Sequence, residues 1–285
     1  MPTLPDVVRI GSSGRVTVVP LEEYVVGTAL AEVGPAGESA ETAAAIFRLQ
    51  AILARTYAAS HVGRHRAEGF DLCDTTHCQV YEPARIRTSR FADIARRAVR
   101  DTEGQVLTVD ARLAEALFHA DCGGHTTDAQ MVWGNPVSYL VGIPDPAPEH
   151  THRQWEFRVT SDDLRDALNG SPASTVGDRL TSVRVAERDA SGRAARVEVI
   201  GSETRMLRGE PFRAIVTRKF GYRTLLSTRF TVTREGGEYL FAGSGFGHGV
   251  GLCQVGAAAR LRRGDSIRSV LAAYYAGSQI TRLRR

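Results

Sequence analysis

The stretch Leu21-Glu-Glu-Tyr-Val-Val-Gly-Thr-Ala-Leu-Ala-Glu32 decides the fold of the N-terminal part of the chain. Pro20 precedes it and two glutamates stand in its first turn, which is the pattern of a helix start. Gly34 and Pro35 follow it, and both residue types end helices. The sequence therefore predicts a helix over residues 21–33.

The elements around this helix define the fold class. Residues 15–19 alternate as a strand, and Ser39 is a good N-cap for a second helix over residues 40–61. The further predicted helices are 89–102, 162–168, 209–220 and 266–275, and the further predicted strands are 105–109, 114–120, 154–159, 182–187, 196–200, 227–233 and 238–242. Because helices gather early and strands late, we expect an α+β fold, with N-terminal helices on a mixed or antiparallel sheet and a β-rich C-terminal half.

The composition is that of an ordinary globular protein. Of 285 residues, 42% are hydrophobic and 24% are charged, which excludes disorder for most of the chain. The net charge of +4 is small, and an arginine-rich solvated surface explains it better than an acidic polymer partner. No segment approaches the roughly 18 apolar residues that cross a bilayer, and residues 1–10 lack the basic and apolar parts of a signal peptide. We therefore expect a soluble chain.

The domain organisation is expected to be simple. One unit spans residues 16–281, with terminal extensions at 1–15 and 282–285. Three prolines crowd into residues 144–148, so a soft boundary near residues 145–152 is expected to divide the unit into lobes over 16–145 and 153–281.

Glu32 is the candidate catalytic residue. It falls on the same helical stripe as Leu21 and Val25, so its carboxyl group is expected to face the interior or a cleft. Desolvation raises the pKa of a carboxyl group, which then holds a proton near neutral pH and donates it as a general acid. The alternative is a glutamate at a frayed helix end that faces solvent or pairs with Arg55.

A polar loop over residues 63–83 holds a compact set of metal-ligand side chains. Cys73, His77 and Cys78 lie in the run Asp-Leu-Cys-Asp-Thr-Thr-His-Cys-Gln-Val-Tyr, and His65 precedes them. Two thiolates and two imidazoles suit tetrahedral zinc, although the spacing is not a common zinc-finger pattern. A disulfide between Cys73 and Cys78 and a pair of buried thiols are the alternatives.

His119, Cys122 and His125 surround a Gly-Gly turn, which raises the possibility of a cysteine hydrolase. His119 precedes Cys122 by three residues on a predicted strand, so it would project from the opposite face. A tight turn that needs Gly123 and Gly124 for unusual φ angles is the favoured interpretation.

Residues 243–256 read Gly-Ser-Gly-Phe-Gly-His-Gly-Val-Gly-Leu-Cys-Gln-Val-Gly. The spacing fits neither nucleotide-binding glycine motif, so no nucleotide is expected. Alternate glycines along a strand would clear one face for the close approach of a chain or ring, with His248 and Gln254 as polar contacts. The alternative is a bulged strand packed tightly on a helix.

Together these segments resemble the stage II sporulation protein D family, which includes amidase-enhancer proteins. The matching stretches begin at Val19-Pro-Leu-Glu-Glu-Tyr-Val-Val-Gly and end at Tyr274-Tyr-Ala-Gly277, and they cover nearly the whole chain in order. Between them lie Gln50-Ala-Ile-Leu-Ala-Arg-Thr-Tyr57, the 71–81 run, Ala116-Leu-Phe-His-Ala-Asp-Cys-Gly-Gly124, Val132-Trp-Gly-Asn-Pro-Val-Ser-Tyr-Leu140 and Gly245-Phe-Gly-His-Gly-Val-Gly-Leu-Cys-Gln-Val-Gly-Ala257.

The resemblance implies a peptidoglycan lytic transglycosylase with Glu32 as general acid and base. Such an enzyme cleaves the β-1,4 bond between MurNAc and GlcNAc, in glycan strands expected to be stripped of peptides, and leaves 1,6-anhydroMurNAc ends. The resemblance also implies structural zinc on Cys73, His77, Cys78 and His65. It further implies a location outside the cytoplasm, in the periplasm or cell wall. The residues expected to bind the glycan are Arg55, Gln79, Tyr81, His119, Cys122, Gly123, Gly124, His248 and Gln254.

Two other functions stay open at this point. One is a non-catalytic, glycan-binding module that enhances a cell-wall amidase, and the other is a hydrolase centred on Cys122 or on the Cys73 loop. The expected partners are glycan strands and a cell-wall amidase, with no nucleic acid and no nucleotide.

Three departures from the family pattern matter. Val33-Gly34-Pro35 replaces the usual Met-Pro after the glutamate. Asp121 replaces the serine of Ser-Cys-Gly-Gly, which places a second carboxylate in the expected site. The export signal that the family leads one to expect is not found at the start of the chain, so we expect a longer precursor or a misassigned start.

Overall fold

The computed structural model describes residues 3–147 and 154–283. Up to residue 133 the elements are β1 (Val7–Ser12), β2 (Arg15–Pro20), α1 (Leu21–Glu32), α2 (Ala40–Ser60), β3 (Leu72–Cys73), α3 (Arg85–Thr88), α4 (Ala92–Asp101), β4 (Gln105–Val109), β5 (Arg112–Leu113), β6 (Phe118–His119) and α5 (Ala129–Trp133). The later elements are β7 (Trp155–Thr160), α6 (Ser161–Asn169), β8 (Leu180–Arg188), β9 (Ala194–Gly201), β10 (Thr204–Arg208), α7 (Gly209–Phe220), β11 (Phe230–Glu235), β12 (Glu238–Gly243), β13 (Leu252–Cys253), α8 (Gln254–Arg262), α9 (Ile267–Tyr274) and β14 (Gln279–Arg282). Helices and several small sheets occur together, which confirms the α+β class.

The chain divides into two compact units. The first holds residues 1–117 and 257–285, and the second holds residues 118–256. The C-terminal residues therefore pack with the N-terminal ones, whereas the lobes expected from the sequence ended at 145 and began at 153. Part of that expected boundary, residues 148–152, lies outside the described residues, and the division into functional domains stays a prediction.

In the first unit, a hairpin leads directly into the first helix. β1 and β2 pair antiparallel around Ser13 and Gly14, whose φ angles of 46° and 78° suit the tight turn that right-twisted strands require. β3 joins the other edge of β1 in parallel register. Leu21 starts α1 immediately after β2, and its amide donates to the Asp6 carbonyl oxygen at 3.0 Å. The position of α1 is thus fixed from its first residue.

The helices of the first unit form its core. Residues 24–30 of α1 are all buried, because this segment is apolar or small around its whole circumference. Tyr24 and Leu30 from α1 belong to the same apolar cluster as Phe47 from α2 and Val99 from α4. A second sheet, in the order β14-β4-β5, completes the unit.

The second unit is built mainly of strands. Its sheets run in the orders β10-β9-β8 and β11-β12-β7, and β13 pairs with β6 in parallel. Phe212 from α7 packs against Phe230 and Phe241 with ring centroids 6.1 and 5.9 Å apart, which places an aromatic cluster in the core. The high strand content of the later residues agrees with the sequence-based expectation.

Two predicted strands are wrong. In place of the strand over residues 114–120 there are two short ones, β5 and β6, and the strand expected from the alternate glycines does not form. Residues 244–251 run irregularly, and Gly245, Gly247, Gly249 and Gly251 all have positive φ angles, of 81°, 107°, 85° and 69°. Extended strands need negative φ, so the alternate glycines serve left-handed backbone conformations rather than a strand with one bare face.

Candidate functional site

Glu32 is the last residue of α1, and its carboxyl group turns toward the loop that follows α2. Its Oε1 accepts a hydrogen bond of 2.8 Å from the backbone N–H of Val80. The side chain is half-buried. The structure therefore agrees with a carboxyl group that faces the protein, and not with one that pairs with Arg55.

Burial sets the protonation of Glu32. Desolvation raises the pKa of its carboxyl group from 4.5 to about 7, against the lowering effect of the Val80 hydrogen bond, and the negative charge of Glu82 adds to the rise. The C-terminal end of a helix also carries partial negative charge, which disfavours a second negative charge there. Glu32 can therefore hold or release a proton near neutral pH.

Gln79 holds the segment that contacts Glu32. Its side chain is 2% exposed, and its Oε1 accepts a hydrogen bond of 3.0 Å from the Tyr24 hydroxyl group on α1. Gln79 was expected from the sequence to bind the glycan, but its side chain lies in the core. It acts as an anchor that keeps the neighbouring Val80 amide against α1.

Tyr81 lies flat on the first helix. Its ring is 5.3 Å from that of Tyr24, and a Cβ atom on Gly27 would come within 2.5 Å of the Tyr81 ring, so only glycine leaves room for it. Tyr81 also borders a cleft of about 610 Å³, together with Glu23 and residues of β2 such as Val18. Glu32 is not among the residues that line this cleft.

An ion pair lies beside the end of α1. Arg85 contacts Glu82 at 2.6 Å, and its Nη1 donates to the Leu30 carbonyl oxygen at 3.2 Å. A cation at this position satisfies one of the carbonyl groups that a helix leaves unpaired at its C-terminus. The sequence alone does not indicate a role for Glu82 and Arg85, since that role depends on a contact between residues 55 positions apart.

The four predicted metal-ligand residues come together in the first unit. His65, Cys73, His77 and Cys78 each offer a ligand atom, and these atoms all lie within 4.8 Å of one another. Cys78 Sγ is 3.4 Å from His65 Nε2, and Cys73 Sγ is 3.7 Å from His77 Nδ1. Two sulfur and two nitrogen donors at these separations fit tetrahedral zinc.

Further contacts prepare this set for a metal. The His65 Nδ1 atom lies 2.5 Å from Glu68 Oε1, and a carboxylate in that place orients the ring and leaves Nε2 for a metal. Burial acts against ionisation of Cys73, but hydrogen bonds from Thr75 and His77 lower its pKa to about 6. Burial raises the pKa of Cys78 to about 11. None of the four cysteines of the chain, all of which lie in described segments, forms a disulfide in this structure, so Cys73 and Cys78 are not joined.

Arg55 is a structural residue in this fold. Its side chain is fully buried, and its Nη2 and Nε atoms donate to both carboxylate oxygens of Glu22, at 2.6 and 3.0 Å. Its Nη1 donates to the Gln105 carbonyl oxygen at 3.0 Å. The expectation that Arg55 binds the glycan is therefore corrected, because no part of its guanidinium group is exposed.

The other expected glycan-binding residues belong to the second unit. His119 and Cys122 are 4% and 0% exposed, so neither can meet a polymer or act as a surface nucleophile. His125 Nδ1 lies 2.6 Å from the Thr126 carbonyl oxygen rather than beside the thiol. The cysteine-hydrolase interpretation therefore has no support from the geometry.

The Gly-Gly turn has the predicted conformation. Gly123 and Gly124 have φ angles of 73° and 107°. Asp121 Oδ1 accepts a hydrogen bond of 2.8 Å from the Gly123 amide, and Cys122 Sγ accepts one of 3.3 Å from the Gly124 amide. Asp121 thus caps the turn, and its unit is not the one that holds Glu32.

The glycine-rich segment is filled by its own unit. A Cβ atom on Gly247 would come within 2.7 Å of His119, and one on Gly249 within 2.4 Å of Arg193. His248 uses both ring nitrogens, with Phe118 O at 3.0 Å and the Val250 amide at 3.0 Å, and Gln254 is half-buried at the start of α8. Protein side chains therefore occupy the space beside these glycines. This corrects the expectation that the segment presents an open face to the glycan.

Comparison with known proteins identifies the family. A family model described as Stage II sporulation protein matches residues 10–109. Stage II sporulation protein D of Bacillus subtilis is 30% identical over 286 residues, an alignment that covers 92% of this chain and 75% of that protein. The chain belongs to the stage II sporulation protein D family. Membership gives it a cell-wall related function.

The chain is also similar to proteins with other names. An uncharacterized protein of Brachyspira hyodysenteriae is 28% identical, over 93% of this chain and 67% of that protein. An amidase enhancer of Bacillus subtilis is 26% identical, over 82% of this chain and 37% of that protein. A second model, Domain of unknown function (DUF8618), matches residues 145–251. Within the described residues of this family member, none of the helices is both long and apolar enough to cross a membrane.

Proposed function

We propose that this protein is a peptidoglycan lytic transglycosylase in which Glu32 acts first as acid and then as base. The observation that carries the proposal is a carboxyl group at a helix end whose pKa is raised to about 7 by burial. At that pKa both protonation states are well populated at neutral pH, which is the condition for one group to donate and then accept a proton.

The reaction needs one proton to pass from Glu32 to the glycan and another to pass from the glycan to Glu32. Protonated Glu32 donates to the glycosidic oxygen as the bond from MurNAc C1 to that oxygen breaks, and GlcNAc leaves with a new hydroxyl group. The Glu32 carboxylate then takes the proton of the MurNAc 6-hydroxyl group as its oxygen bonds to C1. Glu32 is protonated again, no water is consumed, and the product ends in 1,6-anhydroMurNAc.

Val80 fixes the direction of the catalytic carboxyl group. Its amide occupies Oε1, so we assign the transferred proton to Oε2. The anchor of Gln79 on Tyr24 keeps this amide in place from inside the core. Positioning of this kind supports proton transfer, because general acids act only within hydrogen-bond reach of the atom they protonate.

The cleft beside Tyr81 is the surface that we assign to the sugars that flank the cleaved bond, since Glu32 does not itself line it. It combines an aromatic ring with the carboxylate of Glu23 and the hydroxyl groups of Ser12 and Thr17, which suits sugars with apolar faces and hydroxyl edges. Among the predicted groove residues of the first unit, only Tyr81 lines it.

We assign structural zinc to His65, Cys73, His77 and Cys78, whose ligand atoms lie within 4.8 Å of one another. Zinc would link both ends of the loop over residues 65–78 and would stabilise the chain that leads to Val80. The proton transfers belong to Glu32 alone.

The test is a digest of purified glycan strands stripped of stem peptides by native protein and by Glu32→Gln. Positioned general acids contribute about 10²–10⁴-fold, so we expect anhydro ends from the native protein and a loss of at least that size in the variant. Glu41→Gln, the same change at an exposed position on α2, is the matched control and should keep full activity. Equal rates for the native protein and a folded Glu32→Gln would contradict the proposal.

A second function is favoured by the similarity to an amidase enhancer. In that case the protein binds peptidoglycan outside the cytoplasm and stimulates a cell-wall amidase without cutting glycan. A digest of intact peptidoglycan, which still carries its stem peptides, with an added cell-wall amidase separates the two. Stimulated peptide release with unchanged glycan, equal for native protein and Glu32→Gln, supports the enhancer.

A further inference from the structure

A second group of metal-ligand side chains lies in the core of the second unit. His119, Cys122 and Cys253 each offer a ligand atom, and these atoms lie within 4.8 Å of one another. The three side chains are between 0% and 4% exposed. This group is separate from the His65 cluster, which belongs to the first unit.

The imidazole of His119 has a ring nitrogen that is not satisfied by the described residues. Nδ1 lies 3.2 Å from the Val250 carbonyl oxygen, so Nδ1 carries the proton and donates it there. Nε2 is then a lone-pair acceptor, buried and with no hydrogen-bond partner in the described structure. Burying such a nitrogen is unfavourable unless something binds it, and metal-bound histidines commonly donate their other nitrogen to a backbone carbonyl in this way.

Backbone amides converge on the two sulfur atoms. Cys253 Sγ accepts hydrogen bonds from the amides of Cys122 and Gly256, at 3.2 and 3.4 Å. Cys122 Sγ accepts one from the Gly124 amide at 3.3 Å. Amides that point at sulfur stabilise the negative charge that a metal-bound thiolate would carry.

The nearby charges balance a divalent cation. Cys122 Sγ lies 3.5 Å from Asp145 Oδ2, a carboxylate that is 3% exposed. The Arg193 guanidinium is 1% exposed and donates to the carbonyl oxygens of Cys122 and Gly247, at 3.1 and 3.3 Å. Two thiolates and the Asp145 carboxylate carry three negative charges, and Zn²⁺ with the Arg193 guanidinium carries three positive charges. The buried set is then close to neutral overall, as burial of charges requires.

The position of the group explains what it would do. β6 and β13 pair in parallel, with Cys253 opposite His119, and these strands hold the first and last segments of the second unit. A bond between residues 119–122 and residue 253 therefore fastens the point where the chain enters the unit to the point where it leaves. Closing a long loop is where a cross-link removes most conformational freedom from the unfolded chain.

We propose that His119, Cys122 and Cys253 form a second, buried zinc site that closes the second unit, and that Asp145, whose Oδ2 lies 3.5 Å from Cys122 Sγ, moves in as the fourth ligand when the metal binds. Binding converts the thiol groups of Cys122 and Cys253 to thiolates and releases two protons, while His119 binds through its neutral Nε2. No oxidation or reduction takes place. The site has no open position for substrate, so its role is structural.

The test uses the full chain with the first cluster removed by Cys73→Ser and Cys78→Ser together, so that any bound zinc is assigned to the second unit. We expect about one zinc per chain after purification and dialysis, by elemental analysis. Adding Cys253→Ser in the same background should abolish it, because one thiolate ligand is lost. Replacement of zinc by Co²⁺ should give thiolate-to-cobalt charge-transfer bands and the visible spectrum of a tetrahedral site.

The cobalt spectrum keeps the proposal testable if Cys253→Ser does not fold, since it is recorded on the folded double variant. A metal-free double variant with Cys122 and Cys253 both titrating as thiols would overturn the proposal. A mass two hydrogen atoms lower than calculated, with a Cys122–Cys253 cross-link in the peptide map, would overturn it in favour of a disulfide.

Discussion

Replacement of Glu32 by glutamine should stabilise the protein, and by an amount that depends on pH. In the unfolded chain the carboxyl group has its ordinary pKa of 4.5, and in the folded chain burial raises the pKa to about 7. Below pH 4.5 the group is protonated in both states and has no effect. As pH rises from 4.5 to about 7 the unfolded state loses its proton first, so the folded state loses stability relative to it.

The size of this effect follows from the pKa change. Each pH unit between 4.5 and about 7 lowers the free energy of unfolding of the native protein by about 1.4 kcal/mol, so the total loss is about 3 kcal/mol above pH 7. Because Glu32 is half-buried, screening by water keeps the effect at or below this value. Glutamine has the same shape, can accept the Val80 hydrogen bond and does not titrate. The advantage of Glu32→Gln should therefore grow by up to about 3 kcal/mol between pH 4 and pH 8.

Urea unfolding at a series of pH values measures this difference. Both tryptophans, Trp133 and Trp155, lie in the second unit, so unfolding is followed by far-UV circular dichroism, to which the helices of the first unit contribute most. Glu41→Gln at an exposed position is the control and should show no such rise. A constant difference between Glu32→Gln and native protein from pH 4 to pH 8 would refute the reasoning, since it would mean that the pKa of Glu32 is the same in the folded and unfolded chain.

Three further predictions concern the surroundings of the site. Gly27→Ala should destabilise the protein by about 1–3 kcal/mol in urea unfolding, because its Cβ would overlap the Tyr81 ring, whereas Gly34→Ala, with open space around it, should be nearly neutral. Arg55→Met should lower the free energy of unfolding by about 3–5 kcal/mol, since it removes the buried partner of the Glu22 carboxylate. The folded variant should still bind glycan like the native protein. A selective loss of glycan binding would instead show that Arg55 contacts the glycan. Cys73→Ser should remove about one zinc per chain and lower the midpoint of thermal unfolding, and an unchanged zinc content would exclude the first cluster as a metal site.

The sequence predicts the helix that carries Glu32 and the members of the first His/Cys cluster, because both are local. An apolar run that starts at Pro20 and stops before Gly34 defines α1 with little dependence on the rest of the chain. Cys73, His77 and Cys78 lie within six residues of one another, so their proximity is visible in the chain itself. Such features need no knowledge of tertiary contacts.

The errors come from side chains whose surroundings are set by distant segments. Arg55 and Gln79 are polar, and a polar residue in a motif suggests a binding surface. Their partners, Glu22 and Tyr24, lie 33 and 55 residues away, and these contacts turn both residues into core anchors. Two polar partners that satisfy each other can be buried, but a sequence does not show which pairs will meet.

The glycine-rich segment shows a second limit. Alternating glycines have the period of a strand, yet the same spacing also fits a chain in which every second residue is left-handed. Composition alone does not separate these, because glycine is the residue that tolerates both. In contrast, β1 was missed although a signal was present: the Ser13-Gly14 pair before residues 15–19 is a typical hairpin turn and implies a preceding strand.

The most direct measurement for the central claim is the mass of the glycan product formed in water enriched in ¹⁸O. If Glu32 is both the acid and the base, the MurNAc 6-hydroxyl group attacks C1 and closes the 1,6-anhydro ring. The new MurNAc end is then one water lighter than a reducing end and carries no ¹⁸O. A reducing end that carries one ¹⁸O atom would show that water attacks C1, and it would contradict the account.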